Sequence, residues 1–176
     1  MQRRIFLGAG LSLLAAPAFA RSRAAERPRL LSLHHLHTDE RLHLTYRVGD
    51  HYQRSALNRL NHFLRDFRTG DVTAIDPKLF DLLHDLRQRL GHEDATFEIL
   101  SGYRSPKTNA MLRRSSSGVA SRSLHLTGKA IDIRLTHAAT RSIRDAAVAL
   151  GRGGVGYYPK SDFVHLDTGN VRRWGA

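Results

Sequence analysis

The spacing of apolar residues changes from two to about 3.6 and back along this chain, and that order limits the architectures open to it. Leu31 and Leu33 alternate with polar neighbours, and after Thr38-Asp39-Glu40 so do Leu42, Leu44, Tyr46 and Val48. A period of two predicts a pair of strands joined by a tight turn. Leu57, Leu60, Phe63, Leu64 and Phe67 then recur at helical spacing between Ser55 and Gly70. Asp76-Pro77 supplies a cap and a first-turn proline for a second helix, which carries Leu79, Leu82, Leu83, Leu86 and Leu90 and closes at Gly91. Beyond it the runs shorten. Strands are predicted at Thr96–Leu100, Gly128–Leu135, Val155–Tyr158 and Phe163–Thr168, with a short helix near Thr108–Arg113 and a longer one at Ala138–Leu150 closed by Gly151. Ser115–Ser121 reads as a loop, either a mobile lip or a plain connector. No regular strand–helix–strand alternation runs through the chain. The expected fold is therefore α+β: one domain with a small, mainly antiparallel sheet flanked by helices.

Composition narrows the chemistry. The 176 residues contain no cysteine, which excludes disulfides, Cys-ligated zinc, iron–sulfur clusters and a cysteine nucleophile. Any metal must sit on His, Asp or Glu, and there are eleven histidines. With 28 Lys and Arg against 16 Asp and Glu, the formal charge of +12 calls for an anionic partner, and nucleic acid is the first candidate.

The N-terminus redirects that inference. Met1–Ala20 has a short basic start, an apolar run over Ile5–Ala16 and a small-x-small cleavage site at Ala18-Phe19-Ala20. These are the parts of a secretory signal peptide, and the run is too short for a permanent span of about 20 apolar residues. Arg3-Arg4 followed by Ile5-Phe6-Leu7 resembles a twin-arginine signal, which implies the export machinery that carries folded proteins. Cleavage after Ala20 removes Arg3 and Arg4 and leaves a charge of +10. Residues 21–29 then form a basic lead-in before a folded domain over residues 30–176. A periplasmic protein meets the cell envelope rather than nucleic acid.

Two segments concentrate groups able to bind a metal: Ser123-Leu124-His125-Leu126-Thr127-Gly128-Lys129-Ala130-Ile131-Asp132 and Ser161-Asp162-Phe163-Val164-His165-Leu166-Asp167. A catalytic zinc ion takes three protein ligands and leaves one position open, which two imidazoles and one carboxylate satisfy. Strand alternation puts Asp132 with Ala130 and Arg134 on one face, opposite apolar Ile131, Ile133 and Leu135. His125 precedes the Thr127-Gly128 turn and can fold back beside Asp132, and His165 can reach them from a neighbouring strand. Each residue alone also suits an ordinary turn or surface. Of the other histidines, His34, His35 and His37 cluster, with His35 and His37 expected on one face of a polar strand edge. Tyr157, Tyr158 and Trp174 suit either a groove wall or core packing.

The ordered combination is more specific. Ser-x-His-x-x-Gly-x-Ala-x-Asp followed by Asp-x-x-His resembles the signature of the zinc D-Ala-D-Ala metallopeptidases, whose superfamily includes lysostaphin-type enzymes and the hedgehog fold. Gly153–Pro159, Phe163–Gly169 and Ser101–Ser105 are similar to the YcbK-like, MepK-type murein endopeptidases. The resemblance implies that His125, Asp132 and His165 hold one Zn2+ and that peptidoglycan is the substrate. It further implies that Asp162, where many relatives have Glu, is the general base acting on metal-activated water. Strand alternation would turn Asp162 away from His165, so it must stand in the preceding turn. Asp167 competes for the base role or orients His165, and Arg104 matches an arginine that contacts substrate or the developing oxyanion. The expected activity is a zinc-dependent murein endopeptidase of D,D or L,D type. The alternative is a non-catalytic peptidoglycan-binding module of the same fold.

Overall fold

A computed structural model describes residues 27–116 and 118–175. The export signal at Met1–Ala20 and the start of the lead-in lie outside the described residues. Eight strands form one sheet: β1 (Pro28–His35), β2 (Arg41–Val48), β3 (His51–Tyr52), β4 (Phe97–Ser101), β5 (Ala130–Leu135), β6 (Gly154–Tyr158), β7 (Phe163–Asp167) and β8 (Arg172–Trp174). Their spatial order is β3-β2-β1-β4-β5-β7-β6-β8. The β1–β4 and β6–β8 pairs are parallel and the rest antiparallel. The architecture is thus α+β with a mostly antiparallel sheet, wider than expected because β3 and β8 are too short to show a period in sequence.

Four helices accompany the sheet: α1 (Arg54–Phe63), α2 (Pro77–Leu90), α3 (Pro106–Ser115) and α4 (Thr140–Leu150). Asp76 caps α2 by accepting from the Lys78 N–H at 3.0 Å, and Gly91 closes the helix in the left-handed region at φ 70°. Leu79, Leu83 and Leu86 of α2 and Ile143 and Ala147 of α4 are buried with Leu31, Leu33, Phe97, Ile99, Ile131, Ile133, Val164 and Leu166 of the sheet. Period-2 alternation then sends Asp132, Arg134, Phe163 and His165 to the other face. Burial of one face by helices is what frees the opposite face for chemistry.

A buried carboxylate on α2 fastens the N-terminal strands. Asp81 accepts from the hydroxyls of Tyr46 at 2.9 Å and Tyr52 at 2.6 Å, and from the guanidinium groups of Arg47 at 2.8 Å and Arg29 at 3.3 Å. Burial first, then the Asp81 charge, pushes the Tyr46 phenol far above its ordinary range.

Two sequence expectations are corrected here. The helical run through Phe67 stops at Phe63, because the Asp66 carbonyl turns the chain by accepting from Thr69 N–H at 3.2 Å and Gly70 N–H at 2.7 Å. Phe67 therefore leaves the helix and stacks on His37, with ring centroids 4.3 Å apart and an interplanar angle of 13°. The expectation that His35 and His37 share a strand face also fails. β1 ends at His35, which is wholly buried, while His37 is exposed in the following turn.

Candidate metal centre

The strand register assembles most of the centre. Asp132 on β5 stands directly opposite His165 on β7, and His165 in turn faces Gly156 on β6. His125 comes from a single turn of 3-10 helix, Leu124–Thr127, that lies just before β5. Ser123 caps this turn, and Gly128 ends it at φ 65°, where an added Cβ would run into the Ala74 carbonyl. The turn is also tied to the β4–α3 corner, since Arg104 N–H donates to the His125 carbonyl at 3.1 Å.

His125 Nε2, His165 Nδ1 and Asp132 Oδ1 converge. The separations are 3.2 Å between the two nitrogens, 2.9 Å from His165 to Asp132 and 3.3 Å from His125 to Asp132. Donors about 2.0–2.1 Å from a tetrahedral ion stand about 3.3 Å apart, so this spacing suits a small four-coordinate cation. Tautomers support the fit. His125 Nδ1 lies 2.7 Å from the Gly102 carbonyl oxygen, which can only accept, so Nδ1 carries the proton and Nε2 presents a lone pair. In the neutral ring of His165, a proton on Nε2 directed at Asp167 Oδ2, 3.1 Å away, leaves the Nδ1 lone pair facing the same point. Among the described residues these three form the group of His, Asp and Glu able to hold a metal ion.

Burial and charge act on the three in different directions. Burial pushes the His125 imidazole below its ordinary range, against the pull of Asp132. Burial also disfavours the charge on His165, but hydrogen bonds to Asp132 and Asp167 outweigh it and the net shift is upward. Asp132 stays ionised: burial raises its pKa, and the neighbouring His125 and His165 pull it far below the usual carboxylate range.

The remaining predicted residues separate by environment. Asp167 is fully buried, and both oxygens are engaged. Oδ1 accepts from Gly154 N–H at 3.0 Å, Gly169 N–H at 2.9 Å and Arg172 at 3.0 Å, and Oδ2 meets His165 and Arg172 Nη2 at 2.7 Å. Asp162 does stand in the turn before β7, in the left-handed region at φ 50°. Its side chain is 62% exposed. The carboxylate accepts from Thr140 Oγ1 at 2.9 Å and lies 3.4 Å from Arg134 Nε, outside the converging trio. Arg104 is 13% exposed, with Nη2 4.0 Å from Asp132 Oδ2.

Trp174 emerges as a wall of the site, a role that the sequence left open beside core packing. Its ring lies 5.1 Å from His165, and its indole N–H donates to the Tyr158 hydroxyl at 2.9 Å. Tyr158 stacks on Phe163 at 4.5 Å. Gly156 makes this possible, because a Cβ there would stand 2.6 Å from Trp174 Cε2. Tyr157, by contrast, packs against the core.

Comparison with known proteins places this geometry in context. The sequence model of the family described as Peptidoglycan L,D-endopeptidase MepK matches residues 23–174. The chain is 45% identical over 165 residues to the Peptidoglycan L,D-endopeptidase MepK of Escherichia coli (strain K12), covering 94% of this chain and 90% of that protein. The protein of the same name from Shigella flexneri matches with the same identity and coverage. The Probable peptidoglycan L,D-endopeptidase MepK of Haemophilus influenzae is 40% identical over 165 residues, 94% of this chain and 88% of the relative.

Proposed function

The chain belongs to the family of the peptidoglycan L,D-endopeptidase MepK, a peptidoglycan-cleaving hydrolase of a metallopeptidase class, and we propose that it uses one zinc ion to cut L,D-type cross-links. The observation that carries the zinc assignment is the convergence of His125 Nε2, His165 Nδ1 and Asp132 Oδ1 within 4.8 Å of one another. Two imidazoles and one carboxylate match the donor preference of catalytic zinc and leave a fourth position for water or substrate. A zinc ion held there would polarise the scissile carbonyl and make water acidic enough to attack near neutral pH.

The chain's own residues supply the rest. Asp167 holds the His165 ring in place through Nε2 and is itself saturated with hydrogen bonds, so it positions rather than accepts a proton. Of the two candidate carboxylates, proton transfer falls to Asp162, which keeps Oδ2 free of hydrogen bonds apart from the Arg134 ion pair and is open to solvent. Arg104 directs a fixed cation toward the same region and would bind the substrate carbonyl or carboxylate. Trp174, with Tyr158 held to it, walls the site beside His165. Export to the periplasm through the twin-arginine route is proposed on Met1–Ala20 and suits an envelope substrate. No helix of the described residues is long and apolar enough to cross a membrane.

Bond selectivity is tested with two purified muropeptide dimers, one joined by a diaminopimelate–diaminopimelate bond and one by a D-Ala–diaminopimelate bond. Mass spectrometry of the zinc-loaded digest should show the first cleaved and the second intact. Cleavage of the second alone would make the enzyme D,D-type. Binding without cleavage of either would favour the non-catalytic module.

A further inference from the structure

The strand register lines up one row of residues across the site face of the sheet. Ser101 on β4 pairs with Asp132, Asp132 with His165, His165 with Gly156, and Gly156 with Trp174 on β8. Gly156 carries no side chain, so the row has a gap next to His165. Trp174 fills it: a Cβ on Gly156 would stand 2.6 Å from Cε2 and 2.8 Å from Nε1 of the indole. The indole N–H therefore lies over the residue paired with His165, and paired residues of neighbouring strands have Cα atoms about 4.5–5.5 Å apart. Its acceptor is the Tyr158 hydroxyl, 2.9 Å away. That hydroxyl thus stands over β6, beside His165 and on the face that carries the metal-binding trio.

Two contacts fix the hydroxyl and leave its proton uncommitted. Tyr158 and Phe163 pair across β6 and β7 and stack face to face, with 4.5 Å between ring centroids and 13° between planes. The stack sets the plane of the phenol, and packing of this kind needs only the ring. An indole nitrogen can only donate, so the phenol oxygen accepts from Trp174 and its own O–H must point elsewhere. Among the described residues the indole is the hydroxyl's one hydrogen-bond partner. A donor held in place before substrate arrives, with its proton free, costs no reorganisation when negative charge develops in front of it.

We propose that Tyr158 is a further catalytic residue, whose O–H donates a hydrogen bond to the oxygen of the scissile carbonyl, and that Trp174 is the residue that positions it. The proposal rests on the peptidoglycan-endopeptidase reading and deepens it. A carbonyl brought to the trio comes beside His165, where the hydroxyl stands. As the water oxygen bonds to the carbonyl carbon, the C=O electron pair moves onto oxygen, and the hydrogen bond from the phenol strengthens with that charge. The phenol keeps its proton throughout. The proton lost by water passes through Asp162 to the leaving amine, the C–N bond breaks, the C=O bond re-forms and the hydrogen bond weakens again.

Steady-state kinetics on the diaminopimelate–diaminopimelate dimer are paired with calorimetry on its phosphinate analogue, in which a tetrahedral phosphorus with charged oxygens replaces the scissile amide. Both use the zinc-loaded full chain. Tyr158→Phe should retain one equivalent of zinc and lower kcat at least about tenfold with KM within about twofold, the pattern of a hydrogen bond made only in the transition state. It should weaken phosphinate binding at least about tenfold as well. Trp174→Phe should lower kcat by a smaller factor. Added to Tyr158→Phe it should cost less than about twofold more, because the group it orients is already gone. A Tyr158→Phe protein with kcat and phosphinate affinity within about twofold of wild type, or with its loss wholly in KM, would overturn the proposal while leaving the endopeptidase reading intact. Losses that multiply in the double variant would overturn the positioning by Trp174. If the wild type cleaves no dimer yet binds the phosphinate in a Tyr158-dependent way, the endopeptidase reading fails and the donor stands.

Discussion

His165 is gripped from two sides, by Asp132 at Nδ1 and by Asp167 at Nε2, and the difference between those carboxylates defines what each can do. His125→Ala removes a donor from a trio already at ligand spacing and should reduce bound zinc, measured by elemental analysis, from one equivalent to background with the far-ultraviolet spectrum unchanged. Asp167→Asn leaves the ligands and weakens the grip, so zinc affinity should fall about 10–100-fold in a competitive chelator titration. Asp162→Ala should retain zinc and lose at least about a hundredfold in kcat. Because the Asp162 carboxylate points to Thr140 and Arg134, full turnover in that variant would give proton transfer to a different group. At this scale the sequence carried much of the site. His125, Asp132 and His165 were visible as an ordered motif, and the turn position of Asp162 followed from strand alternation. The saturation of Asp167 was not visible, because its partners Gly154 and Arg172 belong to other strands.

Elements bring these residues together through register and turns. The β5–β7 pairing sets Asp132 against His165, and the left-handed Gly128 lets the 3-10 turn return His125 to the same place. Trp174 is the single tryptophan, so its fluorescence reports on the β6–β8 wall directly. Gly156→Val would drive a side chain into the indole and should cost about 1–3 kcal/mol of stability, with a red-shifted emission as Trp174 leaves its packing. An unchanged spectrum and denaturation midpoint would remove Gly156 from this role. The long helices α2 and α4 were legible because caps and periodicity agreed. The end of α1 was not, because Phe67 keeps helical spacing while the Asp66 turn takes it off the helix.

For the whole molecule, one face of the sheet is committed to the helical core and the other to the site, and a buried histidine outside the site adds its own acid dependence to the stability. His35 is wholly buried, and burial first, with His37 second, lowers its pKa to about 4 from an ordinary 6.5. The unfolded chain thus binds a proton that the folded chain refuses. Stability is full above about pH 6.5 and falls as pH drops from there toward 4, by about 2–3 kcal/mol. Thermal melts should show Tm decreasing across that window, and His35→Phe should flatten the dependence; an equal slope in both proteins would contradict the assignment. The net charge likewise gains meaning only at this scale: +12 for the whole chain and +10 once Met1–Ala20 is removed, it would favour an acidic wall polymer.

The most direct measurement is hydrolysis of an L,D-cross-linked muropeptide dimer, followed by chromatography, with protein as zinc-loaded, chelated and zinc-restored samples. The central claim predicts monomer release by the first and third samples, none by the second, and none by zinc-treated His125→Ala. Equal release by the chelated protein, or by His125→Ala, would contradict a metal centre built on His125, Asp132 and His165.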